Sequence, residues 1–297
     1  MSRPVVWALY ALLVLVWSST WVSIKIGLED LPPLFGAAIR FGAAGLLLLA
    51  FTTARKRSLR TDPVLVAILA LLPFATTYGL IYWAEQHIPS GLTAVLFGVL
   101  PLYVAVIGSV LLPEEPLRSR TVAGIGIALA GLVLAFNESL ELGDDDLALL
   151  AALAVVGSPL ASALGNISIK RRAAQSPDPL VVNGWAMLGA GALLLRVSAP
   201  FESWGETAWT AEAIGSIAYL ALAGTAFTFV TLTVLLRELP AVTTSFIAVV
   251  IPLGALAFGA VLEDEVVTST AIGGAALVAA GIAVAQWPRR SSPARAG

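Results

Sequence analysis

Ten long apolar stretches dominate this chain. They run Val5–Gly27, Pro33–Thr53, Pro63–Ala84, Ser90–Leu112, Ser119–Phe136, Leu147–Ile169, Pro179–Val197, Ala213–Leu236, Ala241–Leu262 and Val267–Trp287. A bilayer core of about 30 Å is crossed by roughly 20 helical residues, so each stretch has the length of one span. Runs such as Leu46–Ala50 and Ala275–Ala283 are apolar all round. A barrel strand would alternate apolar and polar residues, so these are helices. The expected fold is an all-α integral membrane protein with ten transmembrane helices. The first stretch follows Arg3, is longer than a signal-peptide core and shows no small-x-small cleavage site around Ser18–Trp21, so it reads as a retained span. The tail 288–297 is polar and reads as disordered.

Composition agrees. Apolar residues make up 58% of the 297 and charged residues 12%, against about a quarter charged in a soluble domain. A water-soluble globule or a disordered chain is excluded. The absence of cysteine excludes a disulfide scaffold and a thiol-ligated metal site.

The positions of the charges predict orientation. Basic residues favour the cytoplasmic side. With both termini cytoplasmic, Arg3, Arg55, Lys56, Arg57, Arg60, Arg118, Arg120, Lys170, Arg171, Arg172, Arg237, Arg289, Arg290 and Arg295 all fall inside. Most acids, including Glu29, Asp30, Glu85, Asp144–Asp146 and Glu263–Glu265, fall outside. Lys25, Arg40 and Arg196 are the basic exceptions, and Arg196 is near enough to a span end to snorkel.

The chain is written twice. A shift of 151 positions lays Pro89 on Pro240, Thr93 on Thr244, Pro101 on Pro252 and Glu114 on Glu265. A shift near 145 lays Ser23-Ile24-Lys25 on Ser168-Ile169-Lys170, and one near 150 lays Gly124 and Gly131 on Gly274 and Gly281. Residues 5–136 and 147–287 are therefore two five-helix units. Five is odd, so the second unit is expected to sit inverted in the membrane. Inverted repeats are an architecture of alternating-access carriers, with the substrate near the midplane between the repeats.

The motifs Trp17-Ser18-Ser19-Thr20-Trp21 through Lys25, Pro33 through Arg40-Phe41, Ile88-Pro89-Ser90-Gly91, Pro101, Glu114 and Gly124 occur in order. Leu239-Pro240-Ala241, Pro252, Glu265 and Gly274 echo them in the second half. In this order the chain resembles the EamA-type drug/metabolite transporters, ten-helix bacterial carriers built of two five-helix repeats. The resemblance spans essentially the whole chain. It implies an inner-membrane carrier, commonly an exporter of amino acids or other small metabolites. The second half has no tryptophan matching Trp17 or Trp21 and no arginine matching Arg40, so the cavity is expected to be lopsided.

Candidate substrate-binding residues emerge from spacing and depth. Trp17, Trp21 and Lys25 share one helical face; Trp17 is too deep for an interfacial belt and either lines a cavity or packs. Lys25 either binds substrate or snorkels. Arg40 lies about 10 Å below the outer surface, and an intramembrane arginine marks either a site or a salt bridge to Glu29, Asp30 or Glu85. Tyr78 and Tyr82 share a face, and Asn166, Trp185, Thr93 and Thr244 complete the set, each with interhelical hydrogen bonding as its alternative role. Pro101 and Pro252 are the expected hinges.

No Asp or Glu falls in the middle of a predicted span, which favours facilitated diffusion or exchange over coupling through a dedicated acid. One peripheral histidine and no cysteine argue against a membrane enzyme, and no cofactor is expected. The expected function is export of an amino acid or related zwitterion, with Arg40 or Lys25 on the carboxylate and aromatic rings on the ammonium. A broader efflux carrier for aromatic or cationic compounds is the alternative. Expected partners are a small-molecule substrate and the lipid bilayer, no nucleic acid, with self-association left open.

Overall fold

Proline and aspartate set where several of the helices begin. The computed structural model describes residues 1–136, 145–176, 178–262 and 268–286. Its helices are α1 (Arg3–Leu28), α2 (Pro33–Ala54), α3 (Pro63–Ala84), α4 (Ser90–Leu111), α5 (Ser119–Ala135), α6 (Ala148–Arg171), α7 (Pro179–Ser198), α8 (Ala211–Glu238), α9 (241–262) and α10 (Ser269–Gln286). No strand occurs among the described residues. Pro63 and Pro179 open α3 and α7, where a missing N–H costs nothing. Asp62 and Asp178 precede them and accept from Val64 N and Leu180 N at 3.0 and 2.9 Å, satisfying one of the free donors at each helix start.

Among the described residues, α1 to α4, α6 to α8 and α10 are long and apolar enough to cross a membrane. The helices at the fifth and ninth predicted spans are shorter: 17 residues in α5, and a break at Phe246 divides α9 into Ala241–Ser245 and Ile247–Leu262. The polar tail 288–297 lies outside the described residues, as do Glu138, Glu141, Asp144, the acids at 263–265 and Trp287.

Two features of α3 and α8 are not visible as apolar runs. Each contains a π-helical turn, Ala70–Thr76 and Leu222–Phe227. The wider turn adds a residue and so rotates everything after it by about 100° about the helix axis. Pro73 sits inside the first of these turns.

The helices from the two halves interleave. α1 packs on α8 and α9, and α6 packs on α3 and α4. α2 lies along α7, and α5 along α10. These last two crossings rest on glycine. A Cβ added at Gly45 would sit 2.8 Å from Gly184 O, and one at Gly191 would sit 2.9 Å from Ala38 O. Gly124 meets Gly281 O at 2.5 Å and Gly274 meets Gly131 O at 2.5 Å in the same way. Both crossings are reciprocal: the two halves exchange equivalent contacts.

The helix ends repeat this pattern. Lys25 Nζ donates to Glu85 O at 2.7 Å, and Lys170 Nζ donates to Leu236 O at 3.1 Å. Thr93 Oγ1 donates to Pro89 O, and Thr244 Oγ1 to Pro240 O, each at 3.1 Å.

Candidate functional site

The interleaved helices α1, α3, α4, α6, α8 and α9 enclose a cavity at the centre of the bundle. Trp17, Trp21 and Ile24 of α1 line it with Pro73, Tyr78 and Ile81 of α3. Phe97 and Leu100 of α4, Ser162 and Asn166 of α6, Phe229 and Leu232 of α8, and the α9 segment from Thr244 to Ile251 complete the wall. Its free volume is about 60 Å³. Small-molecule pockets usually measure about 300–1,000 Å³. The helices are thus drawn in around the site.

Aromatic rings give the cavity its shape. Trp17 stands edge-on to Phe229 at 5.2 Å between centroids, and Trp21 to Phe97 at 5.9 Å. Tyr78 meets Phe229 at 5.9 Å and Phe41 at 5.0 Å, again edge-on. These are the favoured geometries for aromatic pairs. Trp17 Nε1 donates to Gly224 O at 3.2 Å.

Some polar groups around the cavity are already engaged. Ser162 Oγ pairs with Thr77 Oγ1 at 3.1 Å, and Ser245 Oγ donates to Val242 O at 2.7 Å. The side chain of Asn166, 5% exposed, hydrogen-bonds to no other described residue. It is the amide most able to receive a solute. No charged side chain lines the cavity among the described residues.

Five of the ten candidate binding residues therefore share the cavity: Trp17, Trp21, Tyr78, Asn166 and Thr244. The other five lie elsewhere. Lys25 continues the Trp17–Trp21 face but ends on the Glu85 carbonyl. Thr93 is fully buried and bonded back to Pro89 O. Trp185 is 38% exposed, and its indole donates to Leu59 O at 3.1 Å. Tyr82 is buried behind the cavity beside Arg40.

Arg40 is 1% exposed and has no carboxylate at ion-pair distance among the described residues, so it makes none of the salt bridges its depth suggested. Its Nε donates to Thr225 Oγ1 at 2.6 Å, Nη1 to Tyr82 OH at 3.3 Å and Nη2 to Gly224 O at 3.3 Å. Both α8 residues belong to the π-helical turn, and Gly224 O also receives Trp17 and Thr228. The guanidinium lies 4.8 Å over the Tyr78 ring, so it reaches the cavity only through that ring.

Of the expected hinge prolines, one follows a helix break and the other lies in continuous helix. Pro101 lies in the first turn after α4 breaks at Gly98–Val99, and Pro252 lies inside the second part of α9.

Sequence spacing alone does not single out Phe97, Phe229, Ser162 and Ser245. The repeat arithmetic contains the missing signal for Ser162 and Phe229. The shift of 145 lays Trp17 on Ser162 and Trp21 on Asn166; the shift of 151 lays Tyr78 on Phe229, Ile81 on Leu232 and Phe97 on Ala248. Both members of each pair line the cavity.

Glu85 differs most from its expected place. The charge pattern puts it in an outer loop, yet it is 0% exposed. The last turn of α3 and the chain after it are covered by Ala148, Ala151 and Val155 of α6, while Lys25 of α1 closes over the Glu85 carbonyl.

The model of the EamA-like transporter family matches residues 5–137 and again 149–286. An uncharacterized transporter of Bacillus subtilis, YoaV, is 31% identical over 90% of this chain and 92% of its own. An uncharacterized inner membrane transporter of Escherichia coli K12, YedA, is 32% identical over 88% of this chain and 84% of its own. A probable amino-acid metabolite efflux pump of Salmonella typhimurium is 25% identical, covering 91% of each chain. A solved structure at 21% identity superposes with a TM-score of 0.79 over 96% of this chain and 97% of that one, a likeness of fold.

Proposed function

The chain belongs to the EamA-like transporter family, and on that premise we propose that it exports a small metabolite across the bacterial inner membrane by alternating access. The repeats are 5–136 and 147–287, inverted, with ten spans and both termini cytoplasmic. Three observations support this arrangement: the reciprocal glycine crossings, the matched lysine and threonine bonds at the helix ends, and the paired cavity walls. The drawn-in cavity supports alternating access, because loading it requires the helices to part. Flexing at the α4 break before Pro101, near Pro252 and at the π-helical turns of α3 and α8 supplies that motion.

The wall chemistry carries the substrate reading. Trp17, Trp21, Tyr78, Phe97 and Phe229 surround a space with neutral hydrogen-bonding groups and no charge among the described residues. Such a site suits an aromatic or cationic compound, held by ring faces and by Asn166. An amino acid or related zwitterion is the second reading, favoured by Arg40 stacked behind Tyr78 and by the name of the Salmonella relative. It needs the π-helical turn to release the guanidinium toward a carboxylate. Trp17, Trp21, Tyr78, Asn166 and Thr244 contact the solute in either case. Lys25, Arg40, Tyr82 and Thr93 act from behind, and Trp185 anchors the interface.

Counterflow into purified proteoliposomes tests this. Vesicles preloaded with an aromatic quaternary ammonium compound are expected to accelerate uptake of its labelled form, and Trp17→Ala to remove the effect. Exchange of aromatic amino acids but not of cations would establish the second reading. Exchange of neither, with a metabolite panel unchanged in the medium of expressing cells, would overturn both.

A further inference from the structure

One ionisable group takes no part in the cavity just described. Glu85, one residue beyond the α3 span, is fully buried, and neither of its carboxylate oxygens has a hydrogen-bond partner. Lys25 is close enough to neutralise it, but its ammonium donates to the Glu85 backbone carbonyl instead. The neighbouring cation of α2, Arg40, donates to Thr225, Tyr82 and Gly224 and makes no hydrogen bond to this carboxylate. A dry carboxylate without a hydrogen bond is costly in the charged form and much less so when protonated.

We infer that Glu85 is a proton-binding residue of the outer gate, holding a proton while the ends of α1 and α3 are closed and releasing it when they part. This rests on the alternating-access reading above. On opening, water reaches the carboxylate, and Lys25, freed from the carbonyl, becomes its counter-ion. The proton leaves Glu85 Oε for water, and no other bond changes. The cytoplasmic counterpart is built differently. There Lys170 bonds the Leu236 and Leu239 carbonyls and also pairs with Glu115 Oε1 at 2.9 Å, and the repeat mate of Glu85 is Leu236. A carbonyl-capping lysine closes both gates, but among the described residues only the outer one buries an unpartnered acid.

Among the described residues, few ionisable groups face Glu85. Lys25 of α1 and Arg40 of α2 act on it electrostatically, and Tyr82 is the ionisable neighbour on its own helix. The α6 face packed on this end presents Ala148, Ala151 and Val155. His87, two residues on, is engaged with Asp145 at 3.0 Å. Desolvation outweighs the two cations and pushes the Glu85 carboxyl up to about 8. Closure is therefore favoured at low pH and weakened as pH rises through that value. If the hydrated, open-state carboxyl has its ordinary affinity, the open fraction grows on the order of tenfold between pH 7 and pH 9.

The chain has no cysteine, so single reporters are clean. Ile81→Cys places a thiol on the cavity wall, and Gly205→Cys in an exposed segment corrects for thiolate chemistry. A membrane-impermeant maleimide is added outside intact cells. The Ile81→Cys rate, divided by that of the control, is expected to rise about tenfold from pH 7 to pH 9, by the same linkage. With Glu85→Gln the ratio is expected to stay low and flat. With Lys25→Met the rise is expected to move to higher pH, because the counter-ion is gone. An equal rise in Glu85→Gln, or a flat ratio in a reporter that substrate still protects, would overturn the proton site and leave the carrier reading standing. A reporter never labelled from outside at any pH would overturn both.

Discussion

Replacing Gly124 with alanine is expected to destabilise the protein, whereas the same change at Gly126, two residues along α5, is expected to stabilise it. A Cβ at Gly124 would lie 2.5 Å from Gly281 O and from Ala285 N of α10, against an ordinary contact of 3.4 Å or more. Both atoms are backbone, so no side chain can swing aside and the helices must separate by most of an ångström. A radial gap of about 0.5–1 Å forfeits roughly a quarter to a half of each dispersion contact along the seam. Overpacking of this kind costs about 1–3 kcal/mol. Gly126 has nothing within 4 Å of its Cβ position. Both variants gain alanine's helix propensity of up to about 1 kcal/mol. Their difference therefore isolates the steric cost of about 1–3 kcal/mol. Thermal unfolding in detergent, followed by circular dichroism, reads the two midpoints. Gly274→Ala should match Gly124→Ala, since it meets Gly131 O at the same 2.5 Å. The double variant Gly124→Ala/Gly281→Ala should cost less than the sum, because the first methyl already parts the helices. Equal midpoints for Gly124→Ala and Gly126→Ala would refute the crossing and weaken the case for reciprocal halves.

Other expectations concern the site and the loops. Asn166→Ala should cut counterflow at least tenfold, about 1.4 kcal/mol of binding, while Trp185→Phe leaves it near wild type; equal losses in a proteoliposome assay would contradict the cavity. Arg40→Gln should lower the unfolding midpoint as well as transport, because Thr225 and Tyr82 lose a charged donor, each such bond being worth about 1.5–3 kcal/mol. A variant of full stability with no transport would instead mark Arg40 as a direct substrate contact. At the start of α3, the Arg172 guanidinium bonded to Asp62 holds that carboxyl below its ordinary value. Its stabilising contribution is present above the unfolded-state pKa and is lost as pH falls through the lowered one. Asp62→Asn, measured by midpoint against pH, should lower the midpoint at neutral pH and flatten the acid limb, so that variant and wild type converge at low pH.

Much of the cavity was legible because spacing and depth act along one dimension. Trp17 and Trp21 stand four apart on one helix and were placed together by helical period alone. Asn166 and Thr244 were reachable as polar residues inside apolar runs. Arg40 was recognised as a buried charge, but its partners were not. They belong to the α8 turn at Gly224–Thr225, and no acid participates. Phe229 was reachable only by carrying Tyr78 across the repeat. Trp185 resembles the other aromatic candidates in type, yet it is 38% exposed and bonded to the loop at Leu59.

The sequence by itself determined that this is a helical membrane protein, matched twice by one family model, and where most of its helices begin and end. Those properties depend on length, composition and order. Only the tertiary structure decided which face of each helix meets the cavity. Lipid and protein interior are equally apolar, so hydrophobic pattern does not distinguish a lipid-facing side from a buried one. The π-helical turns of α3 and α8 also rotate the helical residues beyond them. For the same reason a glutamate beyond the end of α3 read as a loop residue. The packing of α1, α2 and α6 made it the one carboxylate with both oxygens buried and unpartnered among the described residues.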